Sequence, residues 1–243
     1  MGIKKIYIDA GHGGSDPGAV KYVTESKVNI KVTKYMAAYL AAYYVCDVIA
    51  DTSADSINTI VSKANKWKAD LFVSNHFNAG KGNGYEALVY SSNNKSLGQA
   101  FEKEVKAIGQ NSRGVKYRPD LGVLRLTNMK AILNECAFVD NKTDIKDWDE
   151  DSELKKMGEA LAKGAANYLK LPKKSTGSSS SFKVGDKVKL TSGAKYYDGK
   201  SIPSWVLSSS LYVREINGDR VVISTVKSGA VTGAVNKKYL KKV

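Results

Sequence analysis

From Lys4 to Leu171 the apolar pattern keeps switching between two periods, and few folds accept that alternation. Short β-like runs stand at Lys4 to Asp9, Val45 to Ile49, Leu71 to Ser74, Tyr85 to Tyr90, Val123 to Leu126 and Ala131 to Val139. Between them lie stretches of helical spacing. From Glu25 to Tyr44, the residues Val28, Val32, Tyr35, Met36, Tyr39, Leu40 and Tyr43 recur three or four apart. A second helix carries Ile57, Ile60, Val61, Ala64 and Trp67 as its buried stripe, and a third carries Leu97, Phe101, Val105 and Ile108. The last uses Leu154, Met157, Leu161, Ala165 and Leu169. Strands alternating with helices predict an α/β fold, a mostly parallel twisted sheet flanked by helices on both faces. In such sheets ligands bind beyond the C-terminal ends of the strands.

The alternation stops at Leu171. Residues 172–181 are Ser-rich, lack apolar periodicity and read as a flexible linker. Residues 182–243 hold only short β-like runs separated by Gly-Asp and Asn-Gly turns, with no helix expected. They predict a small all-β barrel of about 60 residues, near the lower limit for folding unaided. The expected organisation is therefore a domain at 1–171, a linker at 172–181 and a second domain at 182–243.

Charge divides along the same line. Residues 1–172 hold 24 basic and 20 acidic side chains, net +4, whereas residues 173–243 hold 14 and 4, net +10. The tail is expected to meet a polyanion: nucleic acid, an anionic membrane and an anionic cell wall all fit on charge alone. No stretch approaches the roughly 18 consecutive apolar residues of a membrane span. The first ten residues read as a strand, not as a signal peptide, so neither membrane insertion nor self-export is expected. Cys46 and Cys136 are far apart and read as two buried, reduced thiols.

The chain has two histidines, and both fall at the C-terminal ends of expected strands. His12 sits in the glycine-rich loop Gly11-His-Gly-Gly14, and His76 follows the strand Leu71-Phe-Val-Ser74. Glu25 opens the first helix, thirteen positions after His12. Two imidazoles and one carboxylate make a three-ligand zinc set that leaves a fourth position open, which separates a catalytic site from a structural one. Hydrolysis at such a site also needs a proton acceptor. Glu135 is the candidate, because it interrupts an otherwise apolar strand where a carboxylate is costly without a partner or a function. An ion pair with Arg125 is the competing explanation.

The segments Ile8-Asp-Ala-Gly-His-Gly-Gly14, Glu25, Asp70-Leu-Phe-Val-Ser-Asn-His-Phe-Asn-Ala79, Gly84-Tyr-Glu86 and Asn134-Glu-Cys-Ala-Phe-Val-Asp-Asn141 follow one another in order. Together they closely resemble the zinc-dependent N-acetylmuramoyl-L-alanine amidases of the amidase-3 type, over residues 3–171. The resemblance implies one Zn2+ held by His12, Glu25 and His76, with Glu135 as the catalytic carboxylate and Asn78 shaping the substrate groove. Two positions depart from the pattern: Asn75 where many relatives carry a hydrophobic residue, and Lys130 where many carry Pro.

Residues 182–243 resemble the bacterial SH3-like modules with which phage lysins hold the cell wall. On that likeness Tyr196, Tyr197, Trp205 and Tyr212 would line a sugar- or peptide-binding groove, though some of these aromatics are needed for the core of so small a barrel. The whole chain then reads as an endolysin-type peptidoglycan hydrolase. It would be a monomer made in the host cytoplasm, acting on peptidoglycan, and through its basic tail on anionic wall polymers, after release. A zinc peptidase acting on stem peptides and a non-catalytic wall-binding adaptor are the alternatives. A nucleic-acid role would call for a basic helix or a stacking platform, and neither is seen.

Overall fold

The computed structural model describes residues 2–174 and 182–243, and the chain forms two compact units, residues 1–174 and 175–243. In the first unit six strands make one sheet. They are β1 (Lys4–Ala10), β2 (Cys46–Asp51), β3 (Leu71–Asn78), β4 (Tyr85–Val89), β5 (Ser112–Tyr117) and β6 (Lys130–Phe138). Their order is β2-β1-β3-β6-β4-β5. The first four in that order run parallel, β4 pairs antiparallel with β6, and β5 runs parallel to β4, so the sheet is mixed.

Among the described residues this unit also holds six α-helices: α1 (Glu25–Tyr43), α2 (Ile57–Trp67), α3 (Lys95–Ala107), α4 (Gly122–Arg125), α5 (Lys142–Ile145) and α6 (Asp151–Leu169). Strand alternation assigns the faces. Ile6, Ile8, Leu71, Val73 and Ile132 point into a core shared with α1, α3 and α6. Tyr7, Phe72, Ala131 and Leu133 point the other way, against α2 and α4. Among the described residues no helix is long and apolar enough to cross a membrane.

A buried polar ladder crosses the sheet on the α1 face. The Tyr85 hydroxyl donates to Asn134 Oδ1 at 2.7 Å, and Asn134 Nδ2 donates to Asn75 Oδ1 at 2.9 Å. Asn75 Nδ2 in turn donates to Thr33 Oγ1 at 3.0 Å, and the Thr33 hydroxyl reaches the Asp9 carbonyl. All four side chains are fully buried. The polar residue at 75 is thus matched by a partner across the strand pair, which is the physical reason an apolar residue is not needed there. Lys130, the other departure, bonds Asn94 Oδ1 at 2.8 Å.

Four expectations need correction. Residues 122–125 form the short helix α4 rather than a strand; a four-residue apolar run cannot distinguish the two by periodicity. The edge strand β5 was not foreseen, since Ser112-Arg-Gly-Val-Lys-Tyr117 is too polar and charged to read as a strand. Ile57 is half exposed rather than part of the buried stripe of α2. Cys46 is only partly buried, while Cys136 is fully so.

Most of the expected linker, residues 175–181, lies outside the described residues. Its first positions stay on the first unit, where the Pro172 carbonyl accepts from Val45 N and Lys174 N donates to the Tyr43 carbonyl. The second unit is a five-stranded antiparallel sheet of β7 (Lys187–Leu190), β8 (Leu211–Asn217), β9 (Arg220–Ser224), β10 (Gly233–Asn236) and β11 (Leu240–Lys242), in the order β10-β9-β8-β7-β11. Val188, Leu211, Val213, Val221, Ile223 and Val235 fill its core. One short helix, α7 (Ser204–Ser208), interrupts the expected all-β pattern because Val206 turns into that core.

Replacing Asn134 by Ala would leave Asn75 Oδ1 and the Tyr85 hydroxyl buried without partners. We expect a loss of about 2–3 kcal/mol in urea unfolding. A loss below about 1 kcal/mol would mean that the ladder adds little to the fold.

Candidate metal centre and active site

β1 ends at Ala10, and the chain turns through Gly11 into a loop where His12 adopts a left-handed backbone with φ of 61°. Such a conformation is costly for a side-chain-bearing residue and collects at functional positions. Gly11 is required for a simpler reason. A Cβ there would lie 2.0 Å from Cε1 of His76, so only glycine lets that imidazole lie against the loop. Gly18 clears the same space from the other side, since its Cβ would meet Glu25 Oε2 and the His12 ring.

Each of the three side chains is oriented by a neighbour. Asp16 Oδ2 accepts from His12 Nδ1 at 2.7 Å, and Asp16 Oδ1 accepts from the Gly18 amide. This directs His12 Nε2 toward Glu25 Oε1, 3.3 Å away. Glu25 is the first residue of α1, where the helix dipole favours an anion. Its Oε2 accepts from the Ala19 amide at 2.9 Å, leaving Oε1 3.0 Å from His76 Nδ1. Burial pushes the Glu25 carboxyl up, but His76 and the Ala19 amide outweigh burial and hold it below the usual range. Burial pushes His76 down, and Glu25 and the neighbouring carboxylates reverse that, raising it.

One ligand atom from each of His12, Glu25 and His76 lies within 4.8 Å of the other two. Two nitrogens and one oxygen at that spacing suit a zinc ion with an open fourth position. Asp16 behind His12 is the kind of outer carboxylate that fixes a ligating imidazole.

Glu135 faces this cluster because β3 and β6 are in register: His76 stands opposite Glu135, and Glu135 stands opposite Glu86 of β4. Among the described residues Glu135 makes no ion pair with Arg125, and its buried Oε2 has no hydrogen-bond partner. Burial, aided by Glu25 and Glu86 and opposed by His76, pushes the Glu135 carboxyl up to about 7. Glu86 behaves oppositely. Burial again pushes up, but Lys116 and Arg113 both bond its Oε1 and the net shift is down. Asn78, half-buried at the end of β3, donates its Nδ2 to Glu86 Oε2 at 3.3 Å.

A cavity of about 350 Å³ opens beside the cluster, bounded by His12, His76, Ser56, Ile57, Leu121 and Val123. The half-exposed Ile57 is therefore a wall of the site. In the second unit Tyr196 and Tyr197 line a separate cavity of about 510 Å³ with Asp198, Lys200, Arg220 and Thr232. Trp205 and Tyr212 do not line it; Trp205 is exposed and Tyr212 partly buried in β8. Sequence reasoning assigns no role to Asp16, Arg113 or Lys116, and Glu86 enters it only within the matched segment Gly84-Tyr-Glu86. Of the first three, Asp16 alone carries a signal, its position four residues after His12.

A mixed α/β sheet that presents two imidazoles and a carboxylate next to a carboxyl of raised pKa has the make-up of a hydrolase. The family model described as N-acetylmuramoyl-L-alanine amidase matches residues 6–167. The chain is 38% identical over 189 residues to an endolysin of Bacillus phage SPP1, covering 72% of this chain and 69% of that one. It is 32% identical to a sporulation-specific N-acetylmuramoyl-L-alanine amidase of Bacillus subtilis (strain 168), covering 74% and 73%. Among solved structures it resembles the catalytic domain of the amidase CwlV from Bacillus (Paenibacillus) polymyxa var. colistinus. That match has a TM-score of 0.66 at 27% identity, over 70% of this chain and 100% of the other. The chain belongs to the N-acetylmuramoyl-L-alanine amidase family and acts on the peptidoglycan of the cell wall.

Gly11→Ala should displace His76 and Asp16→Ala should release the His12 ring, each weakening zinc binding about 10- to 100-fold. Competition against a colorimetric zinc chelator measures this, and unchanged affinity in both variants would remove these residues from the metal site.

Proposed function

We propose that residues 1–174 form a zinc-dependent amidase that hydrolyses the bond between the lactyl group of N-acetylmuramic acid and the L-alanine of the stem peptide. The observation that carries this reading is the convergence of His12, Glu25 and His76 opposite Glu135. The three would hold the zinc ion. When bound, zinc supplies Lewis acidity toward the scissile carbonyl and the attacking water. Glu135 accepts the proton of that water and delivers it to the departing alanine nitrogen. A pKa near 7 suits both halves of that task, because the group must take a proton and then give it up. The surrounding cavity, walled by Ile57 and Val123, limits water around the reacting atoms.

The second unit serves as an SH3-like module that holds the wall. Tyr196 and Tyr197 line its cavity and contact the wall ligand there, while Trp205 and Tyr212 lie outside that cavity. A tethered binding unit raises the local concentration of an insoluble substrate for the catalytic unit. The net +10 of residues 173–243 adds attraction to anionic wall polymers. The chain acts in this reading as a monomeric endolysin, reaching the wall after release from the cell that makes it.

Digestion of purified peptidoglycan should free N-terminal alanine without new reducing sugar ends, and a zinc chelator should stop it. Other amino termini would instead identify a peptidase. Glu135→Gln should lower turnover at least 10³-fold, about the contribution of a general base, while zinc remains bound. Near-normal lysis by that variant would reject Glu135 as the base. For the wild type, kcat/KM should rise with pH through about 7 as Glu135 loses its proton; a flat profile there would point to another group. Wall binding should weaken with added salt, since exposed charges are screened. Sedimentation of the chain with wall fragments at increasing ionic strength tests this, and salt-independent binding would argue for recognition by neutral contacts.

A further inference from the structure

The edge strand β5 builds a charged wall whose purpose the amide chemistry does not explain. Arg113 and Lys116 both bond one oxygen, Oε1, of the buried Glu86. The side chain of Glu86 is only 8% exposed, whereas those of Arg113 and Lys116 are 41% and 40% exposed. Two cations on one carboxylate leave an unbalanced positive charge at the surface. Arg113 uses only Nε for this bond. Among the described residues the terminal nitrogens of its guanidinium make no hydrogen bond. The plane of the guanidinium is nonetheless fixed, because it lies over the Phe138 ring at 5.4 Å. Phe138 is fixed in turn against Gly82, where any Cβ would strike the ring. Arg118, the next cation along, differs: both its Nε and Nη2 are spent on Asp120.

A guanidinium held in place with its fork open is the arrangement that takes a carboxylate through two parallel hydrogen bonds. Its distance from the chemistry is set by the sheet. β5 lies two strands beyond Glu135, but the Arg113 guanidinium reaches back to Glu86 on β4, one strand from Glu135 and about 5 Å away at the usual strand spacing. An extended peptide rises about 3.3 Å per residue, so with its first residue at the metal centre its second, with the reach of its own side chain, stands beside that guanidinium. Stem peptides are acidic at that distance from the sugar.

We infer that Arg113, supported by Lys116, forms a subsite for the free carboxylate of the second stem-peptide residue, making the enzyme selective for acidic over amidated stems. This rests on the amidase reading above, and it names the part of the substrate that the reading leaves open. Lys116 contributes the second positive charge and neutralises Glu86, so that the Arg113 fork is not drawn inward.

The test uses the full chain, zinc-loaded and carrying Glu135→Gln so that ligand is not consumed. Two synthetic muramyl tripeptides, identical except that the second-residue carboxyl is free in one and a primary amide in the other, are titrated by calorimetry. The free acid should bind about tenfold more tightly, the worth of one charge-assisted pair. Adding Arg113→Gln should erase that preference and leave affinity for the amide unchanged, while Arg113→Lys should restore only part of it. Equal affinities for the two peptides in the chain with Arg113 intact would overturn the inference, and that comparison does not depend on any Arg113 variant folding. Equal weakening of both peptides by Arg113→Gln would also overturn it, because that is the result of a residue that merely supports Glu86. The wild type's cleavage of the same compounds is read separately. A binding preference without cleavage supports the subsite and counts against the amidase reading alone.

Discussion

His76, Glu135 and Glu86 stand side by side on β3, β6 and β4, and the chemistry of the site depends on that row staying in register. A slip of one residue in either pairing would turn Glu135 to the face packed on α1 and put Asn134 or Cys136 in its place. Apolar packing alone guards weakly against such a slip, since neighbouring apolar residues of similar size can exchange places. The ladder from Tyr85 through Asn134 and Asn75 to Thr33 guards against it more strictly. Its three strand members, Tyr85, Asn134 and Asn75, each lie one residue before a site residue on the same strand, on the opposite face of the sheet. Breaking register would strand several buried polar groups at once, at a cost of about 1–3 kcal/mol each.

Within the row, neighbouring carboxylates are driven to different states by what surrounds them. Glu86 has two cations and stays ionised; Glu135 has none within bonding distance and holds its proton to about pH 7. Pairs of acids pushed apart in this way divide a reaction between them. The division has a thermodynamic consequence. The folded-state pKa of Glu135 lies above its unfolded value of 4.5, so its contribution to stability is fully present below pH 4.5 and is lost as pH rises through about 7. The site is therefore least favourable to the fold under the conditions in which Glu135, in the proposed role of base, would be ready to act, the usual tension between activity and stability.

Much of this was legible in the sequence, and the reason differs from residue to residue. His12 and His76 stood out because the chain has no other histidine, and Glu135 because it interrupts an apolar strand. Glu25 was visible as an acid opening a periodic helix. The helices α1, α3 and α6 declared themselves through spacing over three or more turns. What stayed hidden was either short or dependent on pairing. Residues 122–125 are too few to show a period, and β5 is held in the sheet by hydrogen bonds to β4 rather than by apolar alternation. The role of Glu86 depends on an antiparallel strand lying beside β6, and the partner of Asn75 lies 59 residues away. Neither fact can be read from local pattern.

The position of β5 joins two demands that are usually met separately. It is the last strand of the sheet on its side, so its outer backbone groups lack a strand partner, and such an edge invites pairing with another chain unless charge or shape prevents it. Arg113 and Lys116 place charge on this edge, and Gly114, with φ of 85°, and the register shift between Tyr85 and Ala87 bend it away from flatness. The same two cations balance Glu86, which would otherwise be a buried charge beside Glu135. Removing them for the sake of a quieter surface would thus expose the edge and leave Glu86 uncompensated together. A strand so polar that it escapes recognition by pattern is in this fold the element that protects the sheet margin and fixes the field along the row of His76, Glu135 and Glu86.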